Sequence, residues 1–156
     1  MMIAVEIDGR TWKGTGGQAR FVRQVARAAL SAAGVEPESV DLSVSITDDS
    51  RVAELNRIWR AKLGATNVLA FPAPHGFGGR SGSRFVGDVV LAEGVVAGEA
   101  AEQGKTVRDH AAHLIVHGVL HLLGYEHGGA MEGLEVDALK RLGIGDPYAA
   151  EKAEGG

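Results

Sequence analysis

The sequence predicts one α+β domain, a small mixed β-sheet packed with about five helices. Three observations carry this. The chain has 156 residues, the size of a single domain and enough to bury a core without disulfide or metal staples. Strand-like and helix-like segments alternate along it. Neither an internal repeat nor a linker-like stretch divides it. The domain is expected over residues 1–148, with a frayed tail, "AAEKAEGG", over 149–156.

"IAVEID" (Ile3 to Asp8) alternates apolar and polar residues, as a half-buried strand does. Its acids, Glu6 and Asp8, mark it as a first strand and not a signal peptide. In the next segment Phe21, Val22, Val25, Ala26, Ala29 and Leu30 recur at helical spacing, and Gly34 supplies a stop. Arg20, Arg23 and Arg27 fall on another side of that helix and read as a solvated basic face. "DLSVSIT" (Asp41 to Thr47) is a second alternating strand. "DDSRVAELNRIWRAK" opens on capping residues, and its apolar positions Val52, Leu55, Ile58 and Trp59 make a second helix. "NVLAFPAP" is a short strand closed by proline, and "HGFGGRSGS", which holds His75, is a loop. "FVGDVVLA" is a fourth strand, and "EGVVAGEAAEQGK" is a helix weakened by glycine. "TVRDHAAHLIVHGVLHLLG" follows, with Thr106 and Asp109 in the pattern of a capping box and Gly124 at the stop. A last helix, from about Met131 to Leu142, precedes "GIGDPY".

Composition narrows the function. No apolar run reaches the roughly 18 residues of a membrane span, so no membrane partner is expected, and the cytoplasm is the default location. The chain has no cysteine, so any metal must be held by nitrogen and oxygen. A net charge of −4 argues against bulk electrostatic binding of nucleic acid but leaves room for a local basic face.

His110, His113, His117 and His121 form one stripe on the long helix, at steps of three, four and four. They cannot share one ion, because eight residues of helix separate His113 from His121 by roughly 12 Å. Only neighbours four apart can do so, which offers His113 with His117, or His117 with His121. Gly124 lets the chain turn back and bring His127 to the last turn, which selects His117 and His121. The result, His-x-x-x-His-x-x-Gly-x-x-His, is the ligand framework of the metzincin proteases. It places a metal site at the C-terminal end of a central helix. Three nitrogens leave a coordination position open, as catalytic zinc requires. Zinc is favoured by ligand type, with nickel or another first-row metal open. His113 reads as a hydrogen-bonded structural histidine. His110 reads as partly exposed near the helix start. Glu126, Asp109 and Asp88 are candidates to hold a ring N–H of the ligands. A peptidase of this type places its glutamate base directly after the first histidine. Gly118 stands there and cannot accept a proton.

"HGVLHLLGYEH" resembles the signature of the YbeY-type bacterial rRNA maturation factors, metal-dependent single-strand-specific endoribonucleases. "LNRIWRAKLGATNVLAFP", "GDVVLA" and "MEGLEVDALKRLGIGDPY" resemble further segments of that family in the same order, so the resemblance covers most of the chain. It implies metal ligation by His117, His121 and His127, and a catalytic arginine at Arg60, behind Trp59. A guanidinium there could grip a phosphate bidentately. The sequence departs from the family pattern at Trp59, Asn67, Ala70 and Glu126, where Tyr, Asp, Ser and Asp are usual, and is shorter between His127 and Met131.

The function this implies is single-strand-specific cleavage of RNA in 16S rRNA 3′-end processing and ribosome quality control. The partners would be single-stranded rRNA and a ribosome or small-subunit precursor, and nothing fixes the oligomeric state. Two alternatives stand beside it. One is a metallopeptidase-like metal hydrolase with Glu126 or Glu132 as base. The other is a ribosome-assembly factor whose metal is mainly structural.

Overall fold

The computed structural model describes residues 2–8, 17–74 and 83–149. The loop expected around His75, and the expected tail beyond residue 149, lie outside them. Strand β1 (Met2–Ile7) is followed by helix α1 (Gln18–Ala32), a 3-10 turn at Pro37–Ser39, strand β2 (Val40–Thr47) and helix α2 (Asp49–Arg60). Strands β3 (Val68–Pro72) and β4 (Arg84–Ala92) come next, then helices α3 (Glu93–Gln103), α4 (Val107–Leu122) and α5 (Gly129–Arg141).

The four strands form one mixed sheet in the order β1-β2-β4-β3. β1, β2 and β4 run parallel, and β3 pairs antiparallel to β4 with Val68 opposite Leu91. The alternation in the sequence becomes two unlike faces. Leu42, Val44 and Ile46 of β2 are buried in the main core, while Ser43 and Ser45 between them are only half-buried. α1 and α4 pack on the core face and α5 packs against both of them, with Val22, Val25, Ile115, Val119, Leu120 and Leu139 fully buried. Each large apolar side chain so buried contributes roughly 1.5–3 kcal/mol. A smaller cluster of Val52, Leu69, Val90 and Ala92 lies between the sheet and α2.

α2 departs from its expected apolar stripe. Val52 is buried and Leu55 packs against the smaller cluster, but Ile58 and Trp59 in the last turn are exposed. Asn56 is buried instead, and its Nδ2 donates to the Gly64 carbonyl at 2.9 Å. The basic face of α1 is exposed, as expected of a solvated face, and two of its arginines also find partners. Arg23 Nε donates to the Ile3 carbonyl at 3.0 Å, and Arg27 pairs with Glu38 at 3.1 Å.

α4 is central, touching α1, α3, α5, β3 and β4. Thr106 caps its start by accepting from the Asp109 N–H at 3.0 Å. Its other end is a complete Schellman turn. Tyr125 N–H donates to Leu120 O at 3.1 Å, and Gly124 N–H to His121 O at 3.0 Å. Gly124 has φ 99°, a conformation that side-chain-bearing residues rarely adopt.

Candidate metal centre

The Schellman turn carries the chain back over the end of α4, so His127 meets His117 and His121. Ligand-capable nitrogens of the three lie within 4.8 Å of one another. Their ring centroids are 4.5 Å (117–121), 4.8 Å (117–127) and 5.0 Å (121–127) apart. Among the described residues, this is the group of three or more His, Cys, Asp or Glu side chains that could hold a metal ion.

The partners of each ring decide where its lone pair points. His117 Nδ1 is 2.7 Å from Glu135 Oε1, and His121 Nδ1 is 2.9 Å from the Tyr125 carbonyl. Both partners accept, so each Nδ1 carries the proton and each Nε2 keeps a lone pair. The two Nε2 atoms face each other at 3.0 Å. Two lone pairs at that separation repel unless a cation lies against both, so the donor set fits a metal ion. Burial, then the neighbouring His117 charge, holds the His121 pKa below its ordinary 6.5, which keeps the ring neutral as a ligand must be.

Glu135 is fully buried, and its carboxylate joins three elements. Besides His117 of α4, it accepts a hydrogen bond from the Tyr148 hydroxyl in the C-terminal turn. His113 Nε2 is 3.6 Å from it and 3.2 Å from the Tyr148 oxygen. Burial alone would push the carboxyl pKa up. The nearby His113 ring and the hydrogen bonds from His117 and Tyr148 outweigh that and lower it to about 2.

Glu135 and Tyr148 were not among the expected partners. One signal for Glu135 was present, since a glutamate stands in the stripe Met131, Glu135, Ala138, Leu139 that α5 buries. The expected partners lie elsewhere. Asp88 accepts from Ser43 Oγ, Asp109 lies at the far end of α4, and exposed Glu126 lines the cavity beside the histidines. His113 is hydrogen-bonded, as expected of a structural histidine. His110 corrects the reading of it as partly exposed. It is 3% exposed, because α3 packs on α4 there and Glu99 Oε1 meets its Nε2 at 2.9 Å. The same Glu99 oxygen accepts from Asn67 Nδ2 at 3.0 Å.

The histidines open onto a cavity of about 970 Å³, whose wall also includes Arg60, Lys62, Asn67, Glu126 and Glu132. Arg60 reaches that wall from the end of α2. One guanidinium nitrogen donates to the Ala70 carbonyl on β3 at 2.9 Å, and the group lies 6.0 Å from the Phe71 ring centre. Position 70 contributes only its backbone to this bond, so the missing hydroxyl does not touch it.

Gly118 is buried against the sheet. A Cβ there would stand 2.6 Å from Val89 Cγ1 and 3.4 Å from Val68 Cγ2. The position of the peptidase glutamate is therefore turned into the sheet and has no room for any side chain.

Residues 8–143 match the family described as Endoribonuclease YbeY. A relative of that name from Azorhizobium caulinodans is 43% identical over 156 residues, covering 94% of each chain. Another, from Novosphingobium aromaticivorans, is 47% identical over 141 residues, covering 80% of this chain and 84% of its own. The solution structure of TM1509 from Thermotoga maritima superposes with a TM-score of 0.57 at 20% identity, covering 90% of this chain and 91% of its own, and shares the α+β fold.

Proposed function

The chain belongs to the Endoribonuclease YbeY family and is an endoribonuclease; we propose that it cleaves single-stranded RNA with a metal ion held by His117, His121 and His127. We place its action in rRNA maturation, at the 3′ end of 16S rRNA and in ribosome quality control, with the small-subunit precursor as partner. The domain that does this spans residues 1–148. No described helix is long and apolar enough to cross a membrane, and the cytoplasm is the location that fits such a substrate.

The observation that carries this reading is the convergence of two aimed imidazoles, a third from the turn, and an arginine on one cavity. Bound there, a first-row ion would supply Lewis acidity toward a phosphate oxygen and lower the pKa of water. Zinc suits three imidazole nitrogens with an open position, and nickel or another first-row ion can take the same donors. Glu135 and the Tyr125 carbonyl hold the His117 and His121 rings in the ligating tautomer. Arg60 spends one N–H on Ala70 and keeps other donors for a phosphodiester, where it stabilises the charge that grows as the bond breaks. Glu126 and Glu132 are the carboxylates lining the cavity.

The test couples elemental analysis to cleavage of labelled single-stranded and duplex RNA by purified protein. Native protein should contain one metal per chain and cut the single strand, and His121→Ala should lose both. Undiminished cleavage by metal-free His121→Ala would sink the proposal. Selective peptide cleavage with inert RNA would favour a peptidase. A protein that unfolds on metal removal, and in loaded form cuts no RNA, would favour a structural metal.

A further inference from the structure

The last turn of α2 and the turn after it expose Ile58 (52%), Trp59 (69%) and Leu63 (94%), the large hydrophobic side chains left exposed among the described residues. All three fall within six residues. Arg57, Arg60 and Lys62 interleave with them, and no acid does. The bias extends further. Residues 55–87 hold five basic residues and no Asp or Glu, in a chain whose net charge is −4.

The backbone makes this patch deliberate. Ala61 has φ 54°, the one non-glycine among the described residues with a positive φ. That conformation costs about 1 kcal/mol for a residue with a Cβ. It ends the helix, lets Lys62 N–H donate to Asn56 O at 3.2 Å, and is braced by the bond from Asn56 Nδ2 to Gly64 O. The chain thus turns so that Arg60 and Lys62 line the histidine cavity. Trp59 lines a second cavity, of about 940 Å³, on the other side of Arg60. That second cavity is lined by four acids, Glu6, Asp8, Asp48 and Asp88, against two arginines, Arg51 and Arg60, so its balance is acidic and disfavours a phosphate backbone.

We propose that Trp59, flanked by Arg57 and Lys62, is a stacking platform that holds single-stranded RNA beside the metal centre. The platform rests on the endoribonuclease reading for its substrate class. An exposed indole offers a face to any base, while the interleaved cations track the phosphates. Duplex RNA cannot use it, because its bases are already stacked on one another. The acidic wall beyond Trp59 fences the backbone onto the Arg60 side, toward the histidines. Single-strand preference then arises from the platform, and cleavage from the centre.

The test measures binding of a fluorescein-labelled single-stranded oligoribonucleotide by anisotropy, using chelator-treated full-length protein so that nothing is cut. Trp59→Ala should bind about ten-fold more weakly, and Trp59→Phe within about three-fold of wild type. Arg57→Ala and Lys62→Ala should each reduce the slope of log affinity against log salt by about 0.7. In cleavage by loaded protein, Trp59→Ala should raise KM with kcat nearly unchanged. Trp59 is exposed, so thermal melts of its variants should match wild type. Wild-type affinity in Trp59→Ala, or no binding by wild type, would overturn the proposal. So would a change in sedimentation of Trp59→Ala with RNA affinity intact, which would make the patch a protein interface. The two readings fail separately. Weakened binding by Trp59→Ala in a protein that cuts no RNA keeps the platform and removes the nuclease. Normal binding by Trp59→Ala, with cleavage lost only in His121→Ala, does the reverse.

Discussion

Glu135 Oε1 lies 2.7 Å from His117 Nδ1, and this bond joins α5 to the candidate metal centre on α4. It fixes which nitrogen of His117 faces the cavity. Removing such a partner of a ligating histidine typically costs about 10–100-fold in metal affinity. Glu135→Gln should therefore bind zinc more weakly by that factor, read by competition against a chromophoric chelator. Affinity unchanged within about two-fold would show that the ring is aimed by packing alone.

Tyr148→Phe removes a hydrogen bond to a buried, charged carboxylate, together with the oxygen that His113 Nε2 meets at 3.2 Å. Such bonds are worth about 1.5–3 kcal/mol, and the metal-free protein should lose about that much stability in chemical denaturation. Its loss of metal affinity should be smaller than that of Glu135→Gln, because Glu135 still meets His117. An unchanged denaturation midpoint would mean that the C-terminal turn merely rests on the site.

The metal-free protein should weaken in acid in two stages. His121 is held below 6.5 in the fold, so the unfolded chain takes up its proton first, and stability falls as pH drops below about 6.5. Glu135 is held at about 2 against an ordinary 4.5. Its contribution, on the order of 3 kcal/mol, is present above about pH 4.5 and is lost as pH falls toward about 2. Unfolding free energies measured from pH 8 to pH 3 should show both stages, and Glu135→Gln should show only the first. A flat profile in the variant and wild type alike would refute this account.

Gly118→Ala should destabilise the fold. The added methyl meets Val89, which is fully buried and β-branched and so cannot swing aside. Overpacking of this kind costs about 1–3 kcal/mol, against roughly 1 kcal/mol gained in helix propensity. Thermal melts should shift down, and Gly118→Glu should shift further without gaining peptidase activity. A more stable Gly118→Ala would mean that β4 yields at this point.

Arg60→Ala should keep its metal and lose about 10²–10³ in kcat, the range for removing a donor to developing charge. Arg60→Lys should recover little, since an ammonium cannot reproduce the planar fork. Full activity in Arg60→Ala would reduce the arginine to a brace on Ala70.

Much of this was legible in the chain. The strands announced themselves by alternation, and the spacing of His117, His121, Gly124 and His127 placed the centre at the end of one helix. Contacts between distant segments were not legible. Glu135 lies in another helix, and whether it faces His117 depends on how α5 crosses α4. The exposure of Ile58 and Trp59 has the same origin, since a helical stripe cannot say where the sheet beneath it ends. His110 was misread because Glu99, which covers it, belongs to the preceding helix. The order β1-β2-β4-β3 is likewise a matter of tertiary pairing.

The Schellman turn at Gly124 and the bond between Glu135 and Tyr148 also fix when the centre can be completed during synthesis. His117, Tyr125, His127, Glu135 and Tyr148 all fall in the last third of the chain. A nascent chain that has reached His127 has its histidines but no carboxylate behind His117, and until residue 148 that carboxylate lacks its hydroxyl. The brace that aims His117 is therefore complete only once residue 148 has been made, well after the three histidines are in place.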